Sequence, residues 1–207
     1  MDATRHIRNL ALIGFMGTGK SSVGRLIADT LHYTFLDTDD VIIARAGASI
    51  EDIFKHQGEP VFRQLEARIV EELTRRDRTI ISTGGGLPAE ENNIASLKTH
   101  ALVICLWASP EKVLHRVQGQ SHRPLLKDVD PLTRIRQLLS EREKFYRQAD
   151  VLVNTEFRSL KEVAQQVMNQ FRIAQRGPDT PHQTANRADH AHSAWSLGDR
   201  HRSHRAP

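Results

Sequence analysis

The sequence predicts an α/β domain in which five parallel strands form a sheet with helices on both faces. Short apolar runs alternate with segments whose apolar residues recur at helical spacing, a pattern typical of such sheets. The first run, residues 9–13, leads into GFMGTGKS at 14–21, which fits G-x-x-x-x-G-K-[ST]. A glycine-rich loop between strand and helix binds phosphate with backbone N–H groups and the positive helix end. The predicted fold class is therefore the three-layer phosphate-loop (P-loop) NTPase fold.

The loop residues have distinct predicted tasks. Its glycines leave room for the backbone to approach a phosphate and allow a positive φ. Lys20 is expected to reach the β- and γ-phosphates, and the Ser21 hydroxyl is expected to bind Mg²⁺. The alternative, a chance glycine-rich turn, is disfavoured because a strand precedes the motif and a helical pattern follows it.

Length and composition restrict the class of protein. The 207 residues predict one domain. The net charge is +4, and five arginines against three aspartates from position 175 onward carry part of it, so the core is not expected to bind nucleic acid. The single cysteine, Cys105, lies in an apolar run and is expected to be a buried thiol rather than a nucleophile. Without a signal peptide or a run of ~18 apolar residues, a cytoplasmic protein is expected. A monomer is expected because no extra apolar surface stands out in the sequence.

Further elements follow the phosphate loop in order. Strands are predicted at 34–40, 78–83, 101–107 and 151–153. Helices are predicted after the loop, at 41–46 before Gly47, from Ser49 to Gly58, from Glu59 to about Arg76, at 89–97, from Ser109 to Gln118, at 132–148 and at 159–173. Inward-facing residues are predicted to be Val61, Leu65, Ile69 and Leu73 in the fourth helix, Ile135, Leu138, Leu139 and Phe145 in the seventh, and Leu160, Val163, Val167 and Phe171 in the last.

Two carboxylates end the second predicted strand. On an extended backbone Asp37 and Asp39 point to the same side. The crevice at the carboxyl ends of parallel strands is where ligands bind. One carboxylate is expected to serve Mg²⁺ and the other an acceptor hydroxyl, while Asp40 is expected to cap the next helix. The alternative is that these aspartates only cap that helix.

Three later features each allow a structural and a functional interpretation. Arg63 and Glu66 are one helical turn apart, and taken alone they indicate a solvated ion pair. The glycine triplet 84–86 offers bare backbone to a ligand or makes a sharp turn. Arg123 lies in a polar segment of about 119–131, which is either a mobile lid delivering an arginine to phosphate or an ordinary loop. Residues 1–174 are expected to form the domain, and 175–207, rich in histidine and arginine, a disordered tail.

Six motifs in order resemble the shikimate kinase family, in the nucleoside-monophosphate-kinase-like branch of P-loop proteins. The resemblance extends from about Asn9 to Phe171. Its motifs are the phosphate loop, D-T-D at 37–39, F-R-Q-L-E at 62–66, the glycine triplet at 84–86, R-P-L-L at 123–126 and R-E-K-F-Y at 142–146. One departure is that two residues, not the usual three, separate Tyr146 from Ala149-Asp150. This shortens the connection into the fifth strand, so the position of Arg158, which follows that strand, is expected to differ from the family pattern.

The resemblance implies ATP-dependent phosphorylation of the shikimate 3-hydroxyl, a step of aromatic amino acid biosynthesis, with Mg²⁺ as cofactor. It implies that Asp39 contacts the shikimate hydroxyls as the base, that Asp37 helps to hold Mg²⁺, and that Arg123 neutralises the transferring phosphoryl group. Substrate binding is implied for Arg63, Gly84, Gly85, Gly86 and Arg142. ATP binding is implied for Gly17, Thr18, Gly19, Lys20, Ser21, Ser22, Arg116, Arg123 and Arg158.

Two other functions compete with this one. A kinase of another polyol acid such as gluconate shares the chemistry, but the substrate-side motifs Arg63, the glycine triplet and Arg142 argue against it. A nucleotide-dependent switch or a non-catalytic binding module is the other alternative. The sequence lacks an N-K-x-D base-reading motif and retains Lys20, Asp39 and Arg123, so an active kinase is favoured.

Overall fold

A computed structural model describes residues 5–118 and 130–176, and it contains the predicted sheet. The strands are β1 Asn9–Ile13, β2 Thr34–Asp37, β3 Thr79–Ser82, β4 Ala101–Trp107 and β5 Val151–Asn154. They pair in parallel in the order β2-β3-β1-β4-β5. The predicted fold class is therefore confirmed, with β1 and its phosphate loop at the centre of the sheet.

The described helices flank this sheet. They are α1 Lys20–Leu31, α2 Thr38–Ala46, α3 Ile50–His56, α4 Glu59–Leu73, α5 Glu91–Lys98, α6 Pro110–Val117, α7 Pro131–Tyr146 and α8 Leu160–Arg176, with a short 3₁₀ turn at Leu87–Ala89. Ser49 and Ser109 cap α3 and α6 as predicted, and Gly47 ends α2 at a φ of 62°. Predicted helix ends are confirmed where a capping side chain or a glycine marks them.

Two apolar clusters cover the faces of the sheet, and the alternation along β1 separates them. Leu10 and Leu12 pack with residues of α1 and α8, including Ile27 and Phe171. Ala11 and Ile13 belong to the opposite cluster, which residues of α4 and α7 complete. Every β1 residue is buried, as expected for a central strand covered on both sides. The phosphate loop thus starts from a fully buried strand that is packed on both sides.

Several predicted faces differ in detail. In α4, Phe62, Glu66 and Val70 are buried beside Ile69 and Leu73, while Val61 and Leu65 are only partly buried. Packing of α4 against α3, where the Phe54 and Phe62 rings lie 4.8 Å apart, rotates the buried face from the predicted one. In α7 it is Tyr146, not Phe145, that is buried, and Leu160 at the start of α8 is exposed. Helix ends expose residues that the apolar period alone assigns to the core.

The second strand ends earlier than predicted, and this corrects the capping assignment. β2 stops at Asp37, whose carboxylate accepts the Asp39 N–H at 3.1 Å and caps α2. The prediction that Asp40 is the cap is wrong: its exposed side chain pairs loosely with Arg25 at 3.5 Å. Asp39 lies in the first helical turn, so the extended-strand argument for its orientation is wrong as well.

Some predicted features lie outside the described residues. These are Arg123 with residues 119–129 of the predicted lid, and residues 177–207 of the predicted tail. The end of the predicted lid belongs to α7, where the Asp130 carboxylate accepts the Thr133 N–H at 2.9 Å. α8 continues to Arg176, two residues into the predicted tail, because Ala174 still packs on the core. Within 5–118 and 130–176, none of the helices has the length and apolar character that crossing a membrane requires.

Candidate active site

The phosphate loop is held open by glycines and by its own hydrogen bonds. Gly14, Gly17 and Gly19 have φ values of 133°, 73° and 97°, which L-residues rarely adopt. The Thr18 hydroxyl and Lys20 Nζ donate to the Phe15 carbonyl at 2.8 and 3.0 Å. Gly19 precedes α1 without a capping side chain. The first-turn N–H groups of α1 therefore face the loop, as anion binding at a helix start requires.

Three side-chain oxygens converge beside the loop. The Ser21 hydroxyl donates to Asp37 Oδ2 at 2.8 Å and lies 3.2 Å from the Ser82 hydroxyl. Ser82 ends β3 and is in register with Asp37 at the end of β2. Ser21 and Asp37 were expected here from the sequence, but Ser82 was not, because only the strand pairing brings it to this point.

Asp39 lies against the first glycine of the triplet. A Cβ built on Gly84 would overlap Asp39 Oδ1. The Gly84 N–H donates to the buried Thr38 hydroxyl at 2.9 Å, which fixes the glycine beside the carboxylate. Thr38 is thus a second residue whose role in the site was not predicted from the sequence. The carboxylate of Asp39 therefore lies beside the triplet, and a helix, not the predicted strand, positions it there.

Arg63 is held by two carboxylates of its own helix. Its Nη1 donates to Glu66 Oε2 at 2.6 Å, and its Nε and Nη2 donate to Glu59 Oε1 at 3.1 and 2.7 Å. A Cβ on Gly86 would lie only 2.8 Å from Nη1. Arg63 therefore reaches the third glycine of the triplet and turns its outer end toward bare backbone.

Glu66 is buried, so the solvated ion pair predicted from the spacing is wrong. Its side chain is 1% exposed and that of Arg63 is 19% exposed. Burial raises the pKa of Glu66 to about 7, because the loss of solvation outweighs the attraction of Arg63. Glu66 Oε1 has no hydrogen-bond partner among the described residues. A buried ion pair beside bare backbone indicates a group that holds Arg63 in place for a ligand.

Arg142 and Tyr146 meet at the middle glycine. Arg142 Nη1 and the Tyr146 hydroxyl donate to the Gly85 carbonyl at 3.3 and 2.8 Å. The guanidinium of Arg142 also lies 5.7 Å from the centre of the Phe15 ring in the phosphate loop. Burial raises the pKa of Tyr146 to about 12, so the hydroxyl stays protonated and donates. These bonds fix the position of Gly85 relative to α7.

Arg116 ties the phosphate loop to the segment after β5. Its Nη1 donates to the Gly17 carbonyl at 3.2 Å and to the Thr155 hydroxyl at 3.0 Å, and its Nη2 donates to the Thr155 carbonyl at 2.7 Å. Arg158, two residues after Glu156, donates to the Asn154 carbonyl at 2.6 Å. Arg116 therefore contacts the loop directly, and Arg158 lines the same cavity as the loop despite the short Tyr146–Asp150 connection.

One cavity of about 630 Å³ unites the nucleotide-side residues. Its lining includes Gly17, Thr18, Gly19, Lys20, Ser21, Ser22, Asp37, Asp39, Gly85, Arg116 and Arg158. The substrate-side residues Arg63, Gly84, Gly86 and Arg142 meet at the glycine triplet, which adjoins this cavity through Asp39 and Gly85. Cys105 is buried beneath, and burial raises its pKa to about 12, as expected for an inert thiol.

This fold and site define a P-loop kinase with a second binding region beside its phosphate loop. Similarities to known proteins support the same class. The family model for shikimate kinase matches residues 16–172. A shikimate kinase of Caldanaerobacter subterraneus is 42% identical over 165 residues, which cover 80% of this chain and 96% of that protein.

Solved structures of similar fold include a shikimate kinase and a gluconokinase. The shikimate kinase of Acinetobacter baumannii, solved in complex with shikimate, has a TM-score of 0.76 at 34% identity, covering 82% of this chain and 95% of that one. A Sinorhizobium meliloti gluconokinase has a TM-score of 0.52 at 18% identity, covers 83% of this chain and 97% of that one, and shows the shared fold alone.

The chain belongs to the shikimate kinase family. Its activity is that of an ATP:shikimate 3-phosphotransferase, which serves the shikimate pathway of aromatic amino acid biosynthesis. The predicted family and reaction are confirmed, and the gluconate alternative is left without support at the level of sequence.

Proposed function

We propose that Asp39 is the general base for this transfer and accepts the proton of the shikimate 3-hydroxyl. The observation that carries this proposal is the position of Asp39, which lines the phosphate-loop cavity and touches Gly84 at the start of the triplet. A base must first lie within reach of the proton that it takes, and its pKa comes second. Asp39 is the carboxylate that adjoins both regions.

Arg63 and Arg142 bind the shikimate carboxylate, with the backbone of Gly84, Gly85 and Gly86 forming the floor. A guanidinium suits a carboxylate because it offers two parallel N–H donors. The support is that both arginines reach the glycine triplet, Arg63 at Gly86 and Arg142 at Gly85. An anion held between them brings the ring hydroxyls toward Asp39.

Mg²⁺ fits beside Ser21 and Asp37. Both residues supply hard oxygen atoms, which this ion prefers, and Ser82 adds a third oxygen within 3.2 Å of Ser21. When bound, the ion neutralises charge on the β- and γ-phosphates of ATP. The Asp37 side chain is already engaged by the Asp39 N–H and by Ser21, so its carboxylate is oriented in advance.

The remaining residues bind ATP. Lys20 and the loop N–H groups from Gly17 to Ser22 hold the phosphates. Arg116 and Arg158 flank the adenine ring of ATP. Arg123, outside the described residues, supplies positive charge to the transferring group. Phosphoryl transfer requires such positioning and charge neutralisation more than covalent help from the protein.

The first test measures ADP release with ATP, Mg²⁺ and either shikimate, gluconate or no acceptor. Shikimate alone should stimulate release. Asp39→Asn should lower kcat about 10²- to 10⁴-fold, the usual contribution of a general base, while ATP binding measured by calorimetry stays unchanged. Asp40→Asn is the matched control, because the adjacent carboxylate is exposed and points to Arg25. Near-full activity of Asp39→Asn would contradict the assignment.

We also propose that the enzyme acts as a monomer in the cytoplasm, as predicted from the sequence. Light scattering during gel filtration tests the first part: a mass near 23.4 kDa is expected, and a mass of twice that value would contradict it. Cell fractionation tests the second.

A further inference from the structure

The guanidinium of Arg63 has three hydrogen-bonding sides, and two of them are occupied within α4. The side formed by Nε and Nη2 donates to Glu59 Oε1 at 3.1 and 2.7 Å. On the opposite side, Nη1 donates to Glu66 Oε2 at 2.6 Å. Two carboxylates therefore grip the group from either side, and its rotation about the side-chain axis is restricted.

The third side faces the glycine triplet. A Cβ built on Gly86 would lie 2.8 Å from Nη1, 3.0 Å from Nη2 and 3.3 Å from Cζ of Arg63. Nearly equal distances to the two terminal nitrogens, with Cζ farther away, put this point in front of the edge that they form. Because residue 86 is glycine, no side chain of this residue displaces the guanidinium, which packs directly against the backbone of the triplet. A substrate carboxylate bound at the triplet therefore lies within reach of Arg63.

We propose that Glu59 is a positioning residue for shikimate, which holds Arg63 against the glycine triplet, where the substrate carboxylate binds. The inference rests on the proposed role of Arg63. Glu66 fixes one side of the guanidinium from the buried part of α4, and Glu59, with a side chain that is 59% exposed, fixes the other. With one carboxylate alone, the guanidinium pivots about a single hydrogen bond.

A purely structural interpretation of Glu59 predicts a different result. Glu59 is the first residue of α4, where a carboxylate stabilises the helix through its dipole. An exposed pair four residues apart also contributes little to folding. If this were its whole role, its removal would change stability slightly and leave substrate binding unaffected. The two interpretations therefore predict different KM values for shikimate when Glu59 is replaced.

The experiment compares Glu59→Ala and Glu59→Gln with the wild-type enzyme. Ordering one flexible side chain on binding corresponds to about a 2- to 10-fold change in affinity. Glu59→Ala should raise the KM for shikimate by this factor and leave kcat and the KM for ATP unchanged. Glu59→Gln, which retains an acceptor oxygen, should show a smaller rise. The matched control is Glu72→Gln, which breaks the exposed two-bond pair with Arg45 far from the triplet and should leave every constant unchanged.

A shikimate analogue in which a hydroxymethyl group replaces the carboxylate isolates the effect. The KM for this analogue should be equal for the wild type and Glu59→Ala, since the edge held by Glu59 then has no partner. An unchanged KM for shikimate in Glu59→Ala would overturn the proposal. A lower KM would also overturn it, since Glu59 would then be a competitor of the substrate carboxylate. Arg63→Lys distinguishes a failure of the Glu59 proposal from a failure of the Arg63 role on which it rests. If Arg63→Lys leaves the KM for shikimate unchanged, the proposed role of Arg63 itself is wrong.

Discussion

Replacing Gly86 by alanine is a direct way to obstruct the proposed carboxylate site without damaging the fold. The backbone of Gly86 has φ −98° and ψ −17°, which alanine adopts without strain. The added Cβ would lie 2.8 Å from Arg63 Nη1, in front of the terminal edge of the guanidinium. Since the clashing atoms belong to the end of a side chain and not to the backbone, we expect Arg63 to shift and the protein to remain folded.

The expected magnitude follows from the hydrogen bonds that are lost. A hydrogen bond to a charged group contributes about 1.5–3 kcal/mol, and 1.4 kcal/mol corresponds to a tenfold change in binding. Loss of one such bond between Arg63 and the substrate carboxylate should raise the KM for shikimate by about 10- to 100-fold. The KM for ATP should stay within about twofold, because Gly86 does not line the nucleotide cavity.

A coupled assay of ADP release at varied shikimate and saturating ATP measures this effect, and urea unfolding measures stability. Gly47→Ala is the matched control. Its Cβ would meet nothing within 4 Å, but its φ of 62° is unfavourable for alanine. It should lose about 1–2 kcal/mol of unfolding free energy with unchanged KM values. If Gly86→Ala binds shikimate as tightly as the wild type, the substrate carboxylate does not bind beside Gly86 and Arg63.

Three further predictions concern other residues of the site. Because the folded pKa of Glu66, about 7, lies above the ordinary 4.5, its stabilisation is present below pH 4.5 and lost as the pH rises through 7. The unfolding free energy of the wild type relative to Glu66→Gln should therefore fall by up to about 3 kcal/mol over this range in urea titrations, and a flat difference would refute the shift. Thr38→Val leaves the buried Gly84 N–H without its acceptor and should lower the free energy of unfolding by about 1–3 kcal/mol in urea titrations. An unchanged free energy would mean that a water molecule replaces the hydroxyl as acceptor. Arg116→Lys cannot reproduce three guanidinium hydrogen bonds and should raise the KM for ATP about tenfold with the shikimate KM unchanged, as steady-state kinetics will test.

Local sequence signals located the nucleotide half of the site. The phosphate loop is contiguous, so its glycines, Lys20 and Ser21 are recognisable without knowledge of the rest of the chain. Ser82 and Thr155 gave no such signal. Each acts through strand or loop pairing with residues distant in sequence, Ser82 beside Ser21 and Thr155 beside Arg116.

The substrate half was predicted less completely, because burial decides its chemistry. Arg63 and Glu66 were recognised as a pair, but spacing along a helix cannot distinguish a solvated pair from a buried one. Burial makes Glu66 a carboxylate that titrates near neutral pH. Likewise, Asp39 was placed near the acceptor on the assumption of an extended strand, whereas the first turn of α2 positions it.

The sequence by itself determined the order of strands and helices, the phosphate loop, the family and the arginine, aspartate and glycine residues expected around the cleft. These follow from motifs and periodicities that lie within short segments. Only the tertiary structure decided which groups hold Arg63, which carboxylate caps α2, and how Gly84, Gly85 and Gly86 meet Asp39, Arg142 and Arg63 in turn. Such choices depend on contacts between segments far apart in the chain, where close packing and loss of solvent set both geometry and charge.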